Sequence, residues 1–202
     1  MLIANPPDLD EVLRLRKERG LDTYDEVWKG TYVMHAIPSD EHQDIVGGLC
    51  YALIDVVQRP GLGKVRPGVN LASDENNWKS DYRCPDVVVI LNSNQSAVCH
   101  DVFWTGGLDL AVEILSPRDE IPSKIDFYAK VGTKELLVID RDPWRLDLHR
   151  HDGQALPVVA SSELGGEPIV SQSLPITLRL VAGEPRPNIV VSEADTEREW
   201  TV

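Results

Sequence analysis

The stretch LDLAVEILSPRDEIPSKIDFYAKVG, residues 108–132, decides how this chain folds and where its chemistry sits. Its first eight residues form a largely apolar run of strand length, broken at Ser116-Pro117, with Glu113 inside it. Alternation puts Glu113 on one face with Ala111 and Leu115, far from polar neighbours. An ionised carboxylate there is costly unless a cation compensates it. The spacing then predicts a helix from about Asp119 to Val131, with Gly132 just past its last turn, where a C-terminal glycine belongs. In that helix Ile121, Lys124, Ile125 and Tyr128 recur at i, i+3, i+4 and i+7. Lys124 therefore lies on the stripe that faces the sheet, whereas Lys130 shares a polar face with Asp126. Lys124 is the expected partner of Glu113, and Tyr128 is expected to pack in the core with its hydroxyl bonded.

A second carboxylate, Asp86, opens the apolar run PDVVVI directly after Pro85, a residue that favours strand starts. Two carboxylates at adjacent strand ends can hold Mg2+ or Mn2+, which prefer oxygen ligands and keep bound waters. With a lysine beside them the set suits phosphodiester hydrolysis. Each residue also has a structural reading. Asp86 can cap backbone N–H groups at a strand end, and Glu113 with Lys124 can be a buried ion pair without metal.

Working outward, DLDEVLRLRKER (residues 8–19) reads as a short amphipathic helix whose Arg14, Arg16, Lys17 and Arg19 form a solvated face. GTYVMHAIP (30–38) reads as a strand, and Ser39 and Asp40 cap a helix running to about Gln58. KVRPGVNL (64–71) and YRCPDVVVI (82–90), joined by the polar SDENNWKS, read as a hairpin or meander. KELLVID (134–140) and WRLDLHR (144–150) are strands separated by the turn-forming Arg141-Asp142-Pro143. Two or three short strands are expected around Pro168 to Leu180, followed by an acidic tail, 192–202, expected to fray. This order implies one domain of mixed α/β (α+β) class, with a central mixed sheet flanked by helices.

The chain has 202 residues, 42% of them apolar and 26% charged, as in an ordinary globular protein. No apolar run approaches the roughly 20 residues needed to span a bilayer, and the first 20 residues lack the pattern of a secretory signal, so no membrane contact and a cytoplasmic location are expected. Cys50, Cys84 and Cys99 are odd in number and widely spaced, which points to small, mostly buried thiols rather than disulfides or a zinc ribbon. His149 and His151 lie two apart on a strand, a spacing that can chelate metal but more often marks exposed strand-end histidines. A P-loop, a GxGxxG and a GxSxG are all missing. The net charge of -13 argues against tight non-specific DNA binding and demands either a locally basic cleft or bridging divalent cations.

EVWKG (26–30), the His42-Gln43 pair, YRCPDVVVI, VEILSP (112–117) and the Lys124, Tyr128, Gly132 pattern occur in one order over about residues 20–182. That order resembles the Uma-two family of restriction-endonuclease-like proteins in the PD-(D/E)xK nuclease superfamily. The resemblance implies a restriction-endonuclease-like fold, a divalent metal, Mg2+ or Mn2+, and nuclease chemistry on DNA at Asp86 and Glu113. It also implies that the lysine has moved. The nuclease pattern places it two residues after the glutamate, where this chain has Leu115, and Lys124 is the natural substitute. Glu26 matches the upstream acidic residue that many such nucleases add to the metal site, and a structural role is its alternative. His42 and Gln43 are accessory candidates. His42 near a helix start can bind a phosphate or orient a water, or can be a hydrogen-bonded structural histidine. A second copy of the chain is a candidate partner. Two other readings stand beside the nuclease: a non-catalytic binding or regulatory module on the same fold, and a metal-dependent hydrolase of a small or RNA substrate.

Overall fold

The Leu108–Leu115 run becomes the strand Leu110–Ile114, in which every residue is buried, as required of a strand covered on both faces. The computed structural model describes residues 9–116, 119 and 121–202. The expected helix start at Asp8 and Pro117 of the expected strand break lie outside these residues. Leu110–Ile114 sits inside a six-stranded sheet whose order is Val158–Glu163, Trp144–Arg150, Glu135–Arg141, Leu110–Ile114, Val87–Leu91, Gly63–Pro67. Only the pair Leu110–Ile114 and Glu135–Arg141 is parallel among these; the other neighbours run antiparallel. The parallel pair needs a crossover, which the helix Ile121–Val131 provides.

The two faces of the sheet bury different layers. Leu110, Val112 and Ile114 join a core with Ile45 and Leu49 from the helix Asp40–Leu53, and with Ile176, Leu178 and Ile189 from a four-stranded antiparallel sheet, Ile169–Val170, Ile176–Val181, Asn188–Glu193 and Glu199–Thr201. Ala111, on the opposite face, packs with Phe127 and Tyr128 of the crossover helix. The protein is thus of mixed α/β class, with a central mixed sheet flanked by helices, as expected.

Local signals account for most boundaries. Ser39 caps the Asp40–Leu53 helix by accepting the His42 N–H, and the helix runs on through a wider π-type turn, Ile54–Gln58, to the expected end. Gly132 closes the crossover helix with φ +81°, a backbone angle that suits glycine. Its carbonyl then comes so close to the strand entry that a Cβ built on Gly107 would lie 1.9 Å from the Gly132 oxygen.

Four expectations are corrected. The arms of the 64–90 hairpin each divide between two sheets: Gly63–Pro67 pairs with Val87–Leu91 in the central sheet, while Leu71–Ala72 pairs with Tyr82–Arg83 in a second one. Pro67-Gly68 and Pro85 mark the bends, because proline cannot donate to a continuing ladder. The strand expected over 30–38 is only Thr31–Val33, paired with Glu26–Trp28. The tail expected to fray is a strand pair instead, with Ser192 opposite Glu199 and the indole N–H of Trp200 bonded to Asp55. Its acidic composition is offset by Arg198, which grips Glu193 at 2.6 Å. In the helix Leu9–Glu18, Arg16 does not face solvent as read from the sequence; its guanidinium binds both Asp25 oxygens and the Leu21 and His35 carbonyls.

Gly107→Ala forces the entry strand away from the helix end, and overpacking of this kind costs about 1–3 kcal/mol. Urea unfolding should show a lower midpoint with an unchanged slope. A midpoint equal to wild type would show that the Gly107 to Gly132 approach does not constrain the fold.

Candidate active site

Glu113 is 3% exposed and both of its oxygens are taken. Lys124 Nζ donates to Oε2 at 2.7 Å, and the Tyr128 hydroxyl donates to Oε1 at 2.5 Å. The two donors are four residues apart on the crossover helix, so one helical face holds both oxygens of one carboxylate. Glu26, at the start of the Glu26–Trp28 strand, reaches the same floor with its Oε1 4.0 Å from Lys124 Nζ. Its carboxylate accepts the Cys84 N–H at 2.8 Å and the Trp28 indole N–H at 2.6 Å. His35 Nε2 lies 3.3 Å from it without the alignment of a hydrogen bond.

Asp86 stands just before the Val87–Leu91 strand. Its Oδ2 accepts the Ile114 N–H at 2.7 Å, the strand-end capping that the sequence allowed. Its Oδ1 lies 2.8 Å from His42 Nε2, and an ionised carboxylate only accepts, so Nε2 carries the proton in this contact. Asp86, Glu113, Glu26, Lys124, His35 and Arg141 all line one cavity of about 450 Å³. Gln43 is exposed and lines a smaller hollow beside it, together with His42 and Asp86.

Three carboxylates around one ammonium leave two excess negative charges when all are ionised, and the titration of the group reflects this. Burial raises the Glu113 pKa, Lys124 opposes it, and Asp86 and Glu26 push it up again, to about 7. Burial also acts upward on Glu26, but Lys124, His35 and the Cys84 N–H outweigh it and bring it down to about 2. Burial alone would strip the Lys124 proton; Glu113 and Glu26 outweigh that and hold its pKa above the ordinary lysine value.

A divalent cation fits this donor set in charge and in chemistry. The excess charge has the right size, and the donors are oxygens of the kind that Mg2+ and Mn2+ take. Every carboxylate oxygen here already has a protein partner, yet each oxygen has a second lone-pair site free for another contact. Among the described residues no three His, Cys, Asp or Glu side chains are grouped to hold a metal ion.

Arg141, His35 and Cys84 are among the cavity residues that the sequence reading missed. Arg141 was assigned to a turn, but its Nε and Nη2 donate to the Leu115 carbonyl at 3.3 and 3.0 Å while Nη1 holds Glu41 at 2.8 Å. The parallel pairing of Leu110–Ile114 with Glu135–Arg141 brings both strand ends to one edge, and no local sequence pattern announces that pairing. His35 and Cys84 likewise carried no sequence signal. Of the thiols expected to be mostly buried, Cys84 is buried, Cys50 half-buried and Cys99 exposed. His149 is buried rather than exposed as expected, and His149 and His151 each bond a backbone carbonyl, of Leu156 and Ala129 respectively, as structural histidines do.

The pKa of Glu113 has a definite sign in stability. Its folded value, about 7, exceeds the unfolded 4.5, so between those values the unfolded chain has lost a proton that the folded chain retains. Metal-free protein should therefore lose stability as pH rises from 4.5 to 7. Glu26 acts oppositely, its contribution being lost as pH falls from 4.5 towards 2. Glu113→Gln should abolish the first decline and, at pH 8 in EDTA, be more stable than wild type by about 1 kcal/mol. A Glu113→Gln protein with a lower urea midpoint at pH 8 would instead mark Glu113 and Lys124 as a stabilising ion pair.

Comparison with known proteins identifies the fold and the family. The crystal structure described as "a putative nuclease belonging to DUF820", from Anabaena variabilis, superposes with a TM-score of 0.56 at 21% identity, over 76% of this chain and 84% of that one. That likeness establishes the fold. No curated protein matches the chain. The model of the Uma2 family, described as "Putative restriction endonuclease", matches residues 9–183, nearly the whole chain from the first helix to the third sheet. On that match, which covers most of its length, the chain belongs to the Uma2 family.

Proposed function

We propose that the protein is a metal-dependent endonuclease that hydrolyses DNA phosphodiester bonds at Asp86, Glu113 and Lys124. The observation that carries this reading is the Lys124 ammonium, 2.7 Å from a buried Glu113 carboxylate on a cavity that Asp86 also lines. A surface ion pair contributes little, and a buried one is costly to assemble, so placing one at a cavity wall favours a functional role.

Mg2+ or Mn2+, held by Asp86 and Glu113, would supply Lewis-acid stabilisation of the phosphoryl oxygens. Lys124 has three N–H donors and gives one to Glu113, leaving two for the attacking water or a phosphate oxygen. Because it stays protonated it acts by charge and orientation, not as a base. Tyr128 fixes the Glu113 carboxylate from below, and Glu26 keeps the ammonium from swinging away. His42 orients Asp86 through Oδ1 while the Ile114 N–H holds Oδ2. Outer contacts of this kind are worth about 10–100-fold in metal affinity or activity.

One observation favours a non-catalytic module on the same fold. Asp86 and Glu113 each spend both oxygens on protein donors, so metal entry has to share them. Plasmid nicking decides between the two readings. Purified protein should nick supercoiled DNA in Mg2+ or Mn2+ and not in EDTA. Asp86→Asn, Glu113→Gln and Lys124→Met should each lower the rate by at least about 100-fold while remaining folded by circular dichroism, and His42→Ala by about 10–100-fold. DNA left intact in both metals, with no heat of Mn2+ binding in calorimetry, would sink the nuclease reading.

A further inference from the structure

We infer that the site takes a single strand of DNA, threaded through one groove in which Tyr24 is the platform for a base next to the scissile phosphate. This rests on the nuclease reading above and names its substrate more closely. The cavity of about 450 Å³ and the neighbouring hollow of about 130 Å³ share Tyr24, Pro38, His42 and Asp86 as lining. Asp86 is thus reached from both sides, as a residue under a continuous strand must be.

The depth of the floor selects the strand. Glu26, Glu113 and Lys124 are 1%, 3% and 5% exposed, so a phosphate must descend into a recess to meet them. A cavity of this size is that of a small-ligand pocket. An intact duplex carries its phosphates on a convex cylinder whose bases are stacked inside, whereas a single strand can bend inward and splay its bases out.

The rim supplies what such bases bind. Tyr24 is 39% exposed and Ile37 75%, and with Pro38 they form an aromatic and apolar lip over the acidic floor. Among the described residues, the cations lining the two hollows are Lys124 and Arg141, and Arg141 is already held by Glu41 and the Leu115 carbonyl. With a net charge of -13, grip through many phosphate contacts is weak. Stacking on an aromatic face supplies about 1–3 kcal/mol per base and needs no cation.

Fluorescence anisotropy with a labelled oligonucleotide in Mn2+, using Glu113→Gln to prevent cutting, compares the single strand, the blunt duplex of the same sequence and a duplex with a single-stranded overhang. Wild-type protein is assayed for cleavage on the same three. The single strand and the overhang should bind at least about 10-fold tighter than the blunt duplex and be cut first. Tyr24→Ala, in the same background, should weaken single-strand binding by about 5–150-fold, and Tyr24→Phe should restore it. Equal or tighter binding and cutting of the blunt duplex, or a Tyr24→Ala protein that binds the single strand as before, overturns the inference and leaves the nuclease reading standing. Failure to bind or cut any of the three forms defeats both.

Discussion

The structure is organised around one buried ammonium. Glu113 lies in the middle of the central sheet, on a strand buried on both sides, where an unpaired carboxylate would be strongly destabilising. Lys124 answers it from the crossover helix at 2.7 Å, and Tyr128 closes the other oxygen from the same helix. The helix can therefore dock in one rotation only, with Lys124 and Tyr128 inward. That rotation carries Phe127 into the second core and brings the Gly132 carbonyl against Gly107. Sheet, crossover and cavity wall are different consequences of compensating a single charge.

The position of the lysine separates this chain from the nuclease pattern it resembles. In that pattern the lysine stands two residues after the glutamate, on the same strand face, and here that place belongs to Leu115, packed against the crossover helix. On the proposed function the charge comes from the layer above the sheet instead of from the sheet itself. A flexible four-carbon stem allows this, because an ammonium is a compact charge that acts from wherever it can reach. The exchange leaves the Leu115 backbone at the cavity edge, where Arg141 has taken its carbonyl.

An acidic protein with an acidic floor has an electrostatic difficulty with an acidic substrate. The site meets it locally: Lys124 and a divalent cation suited to the two excess charges would neutralise the floor, and the lip of Tyr24, Ile37 and Pro38 offers contact area that does not depend on charge. The rest of the surface can then stay negative, which suits solubility and disfavours indiscriminate adhesion to nucleic acid.

The sequence by itself determined the elements that rest on local rules. Alternation placed Glu113 on the face with Ala111, the helical period turned Lys124 and Tyr128 to the sheet, Ser39 began one helix and Gly132 ended another. These signals are legible because each depends on residues within one or two turns. What only the tertiary structure decided depends on distant pairings. The meeting of Glu26 with Lys124, the contact of His42 with Asp86 and the arrival of Arg141 at the Leu115 carbonyl join residues 26 to 98 positions apart, through strand orders that no local pattern encodes. The tail was misread for the same reason: 192–202 is acidic and polar alone, and ordered only because Trp200 and Val202 find Asp55 and Gly48 on a helix some 150 residues earlier. Burial and charge compensation are properties of the assembled layers, so the chemistry of each candidate residue was visible in the chain while its partners became visible only when the sheet closed over them.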